Sequence, residues 1–231
     1  MAALGDSTTR AYLDCGKPRD CPEASWATGG DADIRSHAAR LGIAEPLNAA
    51  VSGATVADLV GQAEQVVDID PDYVTIMIGV NDACRSSESE MTPVATYAAA
   101  FEEALAVLDR THAKVLVASN PDLFRIWLLG HERPEIRESW ERSGICASML
   151  GDPDDADAPA RRTRVRAHLM AYNAAMGSAC AKHRGCRYDG GAVFGYEFTL
   201  AEISTGDYWH ASRLGQRALA ETTWRAGYWP T

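Results

Sequence analysis

The sequence predicts an α/β fold, a three-layer sandwich in which helices cover both faces of a central parallel sheet. Three observations support this prediction. Short apolar segments of strand length recur along the 231 residues, a helical pattern follows each of them, and the alternation continues to the end of the chain. Strands that alternate with helices form parallel sheets that are buried on both faces. No repeat or linker divides the chain, so we expect one domain over residues 1–231.

Four apolar segments have the length of a strand. The first, MAAL, runs directly into GDSTTR, and the others are LNAAVS (47–52), YVTIMIG (73–79) and KVLVAS (114–119). Each is far shorter than the about 20 apolar residues that span a bilayer. The sequence therefore predicts no integral membrane segment.

Four longer segments repeat apolar residues at three- and four-residue spacing, which is typical of helices. They cover residues 56–67, 92–110, 160–183 and 212–227. Thr55 and Thr92 precede the first two and are predicted N-caps, because a threonine hydroxyl can accept a hydrogen bond from the first turn. The stretch from Asn120 to about Pro159 is too long for an ordinary connection, and loops of that length usually serve the function.

The composition excludes several classes of protein. Asp and Glu outnumber Lys and Arg by 32 to 22, which gives a net charge of −10. Such a surface repels phosphate backbones and anionic lipids, so we expect no nucleic-acid partner. The acidic stretch GDPDDADAP (151–159) lacks the spacing of a calcium-binding loop, and the cysteines lack zinc-site spacing. We therefore predict no metal and no cofactor, and we expect a monomer.

The even number of cysteines favours disulfides. Pairing nearest neighbours would join Cys15 with Cys21, Cys84 with Cys146, and Cys180 with Cys186, although the sequence allows other pairings. Disulfides persist in oxidising compartments, so this interpretation predicts a secreted protein. The first residues, MAALGDS, have no signal-peptide features, and we expect that a signal peptide has been removed. The alternative is a cytosolic protein with six buried thiols.

Reactive side chains fall where the predicted strands end, which is where open parallel sheets hold their sites. Ser7 follows the first strand, Gly53 the second and Asn81 the third, while Asp207 and His210 precede the last helix. The other histidines are expected at the surface or at helix caps: His37, His112, His131, His168 and His183.

This set of side chains is typical of nucleophilic catalysis by serine. A serine hydroxyl needs a base, and the base needs a third group that orients it. Asp207 lies three residues before His210, so in a helical turn its carboxylate can face the imidazole and leave the other ring nitrogen for Ser7. The backbone N–H groups of Ser7 and Gly53 and the amide of Asn81 are candidate donors to a developing oxyanion. Alone, each segment also fits an ordinary turn or cap.

The four segments resemble the sequence blocks of the SGNH hydrolases, also called the GDSL esterase/lipase family. The matching segments are ALGDSTTR, AVSGATVADL, IGVNDAC and DYWH. The resemblance spans nearly the whole chain, and the cysteines and SNPDLFRIWLLG further resemble secreted actinobacterial members. It implies a flavodoxin-like α/β/α fold, with Ser7 as nucleophile, His210 as general base, Asp207 as its partner, and Ser7, Gly53 and Asn81 as the oxyanion hole.

The resemblance also implies a serine ester hydrolase that cleaves small-molecule or lipid esters through an acyl-serine intermediate. We expect the segment from Phe124 to Trp140, with Tyr208 and Trp209, to wall the acyl pocket, and core packing is the alternative for that segment. The same residues would serve a carbohydrate acetylesterase or a phospholipase. A catalytically silent binding module on this fold is the third hypothesis.

Overall fold

The computed structural model describes residues 1–229 and contains a five-stranded parallel sheet with helices on both faces. The strand order is β2-β1-β3-β4-β5, and every neighbouring pair is parallel. This is the order of flavodoxin-like sheets, so the predicted fold class is confirmed. In chain order the strands β1 to β5 are Ala2–Gly5, Leu47–Asn48, Tyr73–Met77, Lys114–Val117 and Cys186–Tyr188.

Nine α-helices lie within the described residues. In chain order α1 to α9 are His37–Leu41, Leu59–Val67, Val80–Ala83, Val94–Leu108, Leu123–Gly130, Pro134–Ser143, Ala147–Leu150, Ala158–Cys180 and Arg213–Ala226. Helices α2, α4 and α8 pack side by side in one layer. In the other layer α1 meets α9, where His37 contacts Thr223 and Arg40 pairs with Glu221. No helix of residues 1–229 is long and apolar enough to cross a membrane.

The long predicted helices are present, with ends that differ by a few residues. Two local predictions were wrong: the segment 56–67 is not one continuous α-helix, and Thr92 is not an N-cap. The segment 56–67 is divided into a 3-10 turn, Val56–Asp58, followed by α2. Thr92 does not cap α4, which begins at Val94; its hydroxyl donates to Asp82 instead. Strand β5 was not predicted, because it has only three residues and one of them is exposed.

The stretch after Asn120 contains three helices, α5 to α7, where the sequence predicted a long functional loop. We call residues 123–150 the insert. Its helices bury apolar side chains such as Ile126, Ile136 and Trp140 against the rest of the protein. The insert is thus packed into the common core of the protein.

Three disulfides join the pairs that nearest-neighbour pairing predicts: Cys15 with Cys21, Cys84 with Cys146, and Cys180 with Cys186. The second closes a separation of 62 residues and ties α7 of the insert to the end of α3. In the chain-entropy account a link of that span stabilises the fold by about 4 kcal/mol. Within residues 1–229, the one His/Cys/Asp/Glu cluster with metal-like spacing is Cys15, Cys21 and Glu23, and both sulfurs are in a disulfide.

His37 lies in the core, so the expectation of a surface or cap histidine was wrong at this position. Its Nδ1 is 2.8 Å from the Tyr73 hydroxyl and its Nε2 is 2.8 Å from the Thr223 hydroxyl. The Thr223 hydroxyl donates to the carbonyl of Leu219, so it accepts from Nε2 and the ring is the neutral Nε2–H tautomer. Burial, with a smaller effect of the Arg40 charge, lowers the pKa of His37 to about 3. This histidine joins α1, β3 and α9.

The low pKa of His37 predicts a loss of stability in acid. Below about pH 6.5 the unfolded chain protonates this histidine while the folded protein does not, so the free energy of unfolding falls as the pH drops toward 3. Between pH 7 and 4.5 we expect wild type to lose on the order of 2–3 kcal/mol more than His37→Gln, measured by urea unfolding. His112→Gln, at an exposed site, is the control. Equal pH dependence in wild type and His37→Gln would contradict this assignment.

Candidate active site

Three adjacent strands of the sheet bring Ser7, Gly53 and Asn81 to one edge. Strand β1 lies between β2 and β3, and the three residues follow the carboxyl ends of these strands. The backbone N–H of Val51 donates to the carbonyl of Gly5 at 3.1 Å, which fixes the glycine loop beside the loop of Ser7. The Asn81 amide donates to the carbonyl of Ala54 at 2.8 Å. The two loops and α3 therefore form one hydrogen-bonded surface.

Ser7, His210 and Asp207 form a continuous chain of hydrogen bonds. The Ser7 Oγ is 3.0 Å from Nε2 of His210, and Nδ1 of His210 is 2.5 Å from Oδ2 of Asp207. The side chains of His210 and Asp207 are 13% and 16% exposed, so water reaches the site while the contact between them is largely shielded. The Tyr12 ring packs on the imidazole with ring centroids 4.8 Å apart.

The carboxylate of Asp207 is held in its charged form. Burial would raise the pKa of Asp207, but the hydrogen bond and charge of His210 and two backbone N–H donors outweigh it and keep the pKa below its usual value. The two donors belong to Trp209 and His210, and both contact Oδ1, at 2.9 and 3.1 Å. Oδ2 is thereby left to the imidazole, which fixes Nδ1 as the protonated nitrogen and Nε2 as the acceptor.

Gly53 and Asn81 follow the carboxyl ends of β2 and β3, beside the loop of Ser7. Gly53 has φ +85°, a left-handed conformation that favours glycine, and a side chain built there would meet no atom within 4 Å. The backbone conformation therefore requires the glycine, while the space beside it is open. Asn81 donates one of its two amide hydrogens to the carbonyl of Ala54, and the second is available to another acceptor.

Two buried carboxyl groups that the sequence reasoning did not single out support this site. Asp82 accepts from the Val56 N–H at 2.9 Å and from the Thr92 hydroxyl at 2.7 Å, so it ties α3 to the segment after Gly53. Asp6 accepts from the Thr8 N–H at 2.8 Å, and burial raises its pKa to about 6. Both residues stand next to a predicted site residue. The partner of Asp6 is only two residues away, whereas the partners of Asp82 are 26 and 10 residues away.

A buried glutamine holds the end of β1. Gln62 of α2 accepts from the backbone N–H of Gly5 at 2.7 Å and donates to the Gly5 carbonyl at 2.9 Å. Strand β2 is too short to pair with Gly5, and the primary amide takes the place of a neighbouring peptide group. The backbone two residues before Ser7 is therefore fixed on both sides.

A narrow apolar cavity of about 50 Å³ opens beside Ser7 and His210. Its walls include Leu123, Ile126 and Trp209, joined by Phe198 and Leu219. A larger groove of about 790 Å³ follows the outer face of α9 and contains none of Ser7, Asp207 and His210.

The predicted wall of this pocket is found only in part. Of the predicted set, Arg125, Ile126 and Trp209 line the cavity, whereas Trp127, Trp140 and Tyr208 are outside its lining. Trp127 lies against Arg162, whose guanidinium carbon is 3.4 Å from the centre of the indole. The alternative of core packing therefore describes Trp127 better than a role in the acyl pocket.

The arrangement is equipped for acyl transfer. A hydroxyl faces the unprotonated nitrogen of an imidazole whose other nitrogen faces a carboxylate, and Gly53 and the Asn81 amide are candidate donors after the neighbouring strands. These are the three requirements of serine-based acyl chemistry: a nucleophile, an oriented base and donors for the oxyanion.

The sequence matches the GDSL-like Lipase/Acylhydrolase family over residues 3–218. It is also 30% identical over 157 residues to an acetylxylan esterase from Geobacillus stearothermophilus, and this match covers 64% of the chain and 69% of that enzyme. The family match spans all of the residues placed at the candidate site.

Solved structures show the same fold at lower identity. TesA is 17% identical with a TM-score of 0.60, covering 97% of this chain and 96% of its own. LAE5, an alpha/beta hydrolase enzyme from the metagenome of Lake Arreo, is 21% identical with a TM-score of 0.62, covering 97% and 93%. A mutant of Axe2, an acetyl-xylooligosaccharide esterase from Geobacillus, is 20% identical with a TM-score of 0.58, covering 100% and 94%. The chain thus belongs to the GDSL-like Lipase/Acylhydrolase family and is a carboxylic ester hydrolase.

Proposed function

We propose that this protein hydrolyses short-chain carboxylic esters, with Ser7 as the nucleophile and an acyl-serine as the intermediate. The observation that carries the proposal is the hydrogen-bonded chain from Ser7 through His210 to Asp207, which ends at an apolar cavity of about 50 Å³.

In the first half of the reaction Nε2 of His210 takes the proton of Ser7 while Oγ attacks the ester carbonyl carbon. The carbonyl oxygen becomes negative and accepts hydrogen bonds from the N–H groups of Ser7 and Gly53 and from the Asn81 amide. The imidazolium then gives its proton to the departing alcohol oxygen, and the acyl group stays on Oγ. A water molecule attacks this acyl-serine in the second half, with His210 again accepting and returning one proton.

The small volume of the cavity favours a short acyl group. A cavity of about 50 Å³ holds roughly four water-sized groups, which suits an acetyl to butyryl chain. Longer chains would have to leave the cavity and lie in water, so each further methylene would add little favourable burial. This argument disfavours a lipase or phospholipase of long-chain substrates.

An acetylated carbohydrate is the second candidate substrate. Its support is the similarity to an enzyme named acetylxylan esterase, together with a cavity that accommodates an acetyl group. A silent binding module is disfavoured, because Ser7, His210 and Asp207 are all present at hydrogen-bonding distance.

We also propose that the protein acts outside the cell. The support is the three disulfides, which an oxidising compartment forms and keeps.

A series of p-nitrophenyl esters from acetate to palmitate tests the proposed substrate range. We expect kcat/KM to be highest between acetate and butyrate and to fall for longer chains, with no turnover by Ser7→Ala. Ile126→Ala enlarges the cavity, and we expect it to raise the ratio of hexanoate to acetate turnover by roughly tenfold. Leu128→Ala, on the exposed face of the same helix, is the matched control.

Two outcomes would count against this proposal. A maximum at octanoate or beyond would contradict the short acyl pocket. If wild type cleaved no member of the series but released acetate from acetylated xylo-oligosaccharides, the carbohydrate ester would replace the general short-chain ester as the substrate.

A further inference from the structure

We propose that Trp140 of the insert is a positioning residue, which acts by holding the turn that carries Asp207 and His210 in register with Ser7. The inference rests on the proposed function of these three residues. Trp140 lies 68 residues before the carbonyl that it contacts and does not line the cavity at Ser7. Its effect on the reaction therefore has to pass through the backbone of the turn.

The turn from Ser204 to His210 is closed by hydrogen bonds of its own. The N–H of Tyr208 donates to the carbonyl of Ser204 at 2.8 Å, and the N–H of Ser204 donates to the carbonyl of His210 at 2.7 Å. Asp207 Oδ1 accepts from the backbone N–H groups of Trp209 and His210. The carbonyl of Tyr208 points out of this network, and the indole Nε1–H of Trp140 donates to it at 3.0 Å.

Tyr208 needs an external support because its backbone is left-handed. Its φ is +55°, a conformation that non-glycine residues rarely adopt unless their surroundings hold them there. This residue stands between Asp207 and His210, so a rotation of its peptide would move the carboxylate relative to the imidazole. A fixed donor on the Tyr208 carbonyl opposes that rotation.

Trp140 is itself well fixed. It is 3% exposed, and its ring fills the space over Gly130, where a side chain would collide with the indole. Its ring stacks near that of Trp127, with centroids 6.3 Å apart. The insert is also anchored through the disulfide of Cys146. The fixed position of Trp140 thus directs its indole N–H at the turn that contains Asp207 and His210.

The test compares two tryptophans of the insert. Trp140→Phe keeps an aromatic ring and removes the donor, and we expect kcat on p-nitrophenyl acetate to fall roughly tenfold or more while KM stays within about twofold. Trp127→Phe makes the same change beside it without touching the turn, and we expect its kcat to stay within about twofold of wild type. A role in folding alone would lower both activities with the fraction of folded protein, which thermal unfolding measures.

A second substitution separates support of the turn from a general packing defect. Glycine adopts φ +55° without strain, so Tyr208→Gly removes the need for the indole donor. We expect Trp140→Phe to lower kcat much less in the Tyr208→Gly background than in wild type. An equal loss in both backgrounds, an equal loss in Trp127→Phe, or an unchanged kcat in Trp140→Phe would overturn the proposal. A folded Ser7→Ala variant that keeps more than about 1% of the activity would instead overturn the proposed function.

Discussion

Ser7→Ala is expected to lower kcat/KM on p-nitrophenyl acetate by roughly 10⁵- to 10⁶-fold, which is the scale of nucleophile removal in serine hydrolases. Without Oγ no acyl-enzyme can form, and only the oxyanion donors and binding are left to favour direct attack by water. In wild type, mass spectrometry of the quenched enzyme is expected to show one added acetyl group on the peptide that contains Ser7, and in the variant none.

The control for this experiment is Ser143→Ala, an exposed serine of the insert, which is expected to keep full activity. The side chain of Ser7 makes a hydrogen bond to His210. Removal of this one bond is not expected to unfold the protein, and thermal unfolding of Ser7→Ala would show whether the variant is folded. A Ser7→Ala variant that is folded and keeps more than about 1% of the activity would rule out the acyl-serine route.

Asp207→Asn is expected to lower kcat by roughly 10⁴-fold with little change in fold, by the same physical effect as in other serine triads. The asparagine Oδ1 can still accept from the N–H groups of Trp209 and His210, so the turn is preserved. The Nδ2 group, however, replaces the Oδ2 acceptor and donates to Nδ1 of His210. The proton then sits on Nε2, and this nitrogen can no longer accept the proton of Ser7.

The matched control is Asp154→Asn, in the exposed acidic segment, for which we expect unchanged kcat. The crystal structure of Asp207→Asn is expected to show the turn in place and Nε2 still near Oγ. Activity of Asp207→Asn within about tenfold of wild type would show that the turn's backbone orients His210 without the carboxylate.

The groups proposed for the chemistry could be placed from the sequence because each belongs to a short local pattern. Ser7, Gly53 and Asn81 follow strand signals, and the spacing of Asp207 and His210 fits one turn. Parallel strands bring their carboxyl ends to the same edge, so local patterns were enough to predict a common site.

The supporting groups could not be predicted because their partners are distant in sequence. Asp82 accepts a hydrogen bond from a backbone N–H 26 residues away, and Trp140 donates one to a carbonyl 68 residues away. His37 is a polar side chain in the core, paired with hydroxyls 36 and 186 residues distant. Only the folded structure shows that such polar groups have partners, which is the condition for burying them.

The helices of the insert had signals that the prediction missed. In α6, Pro134 occupies the first turn, Ile136 and Trp140 are four residues apart, and Gly144 follows the end in a left-handed conformation. These are ordinary marks of a short amphipathic helix. The bulky side chains of this stretch favoured a functional loop. In the structure Trp140 is buried, Phe124, Trp127 and Leu129 are partly buried against the core, and Leu128 is exposed.

The insert is attached to the rest of the protein by a disulfide and by the hydrogen bond of Trp140, and both attachments affect how the enzyme would act on aggregated substrate. An esterase that is activated at an oil–water interface needs a lid that can move away from its serine, and such a lid must be free to move at one end. Here the far end of the insert is bonded covalently at Cys146, and its middle helix is held to the Tyr208 carbonyl. We therefore expect the entrance to Ser7 to be open in the resting protein, and the rate to rise smoothly with ester concentration, with no step where the ester begins to form micelles.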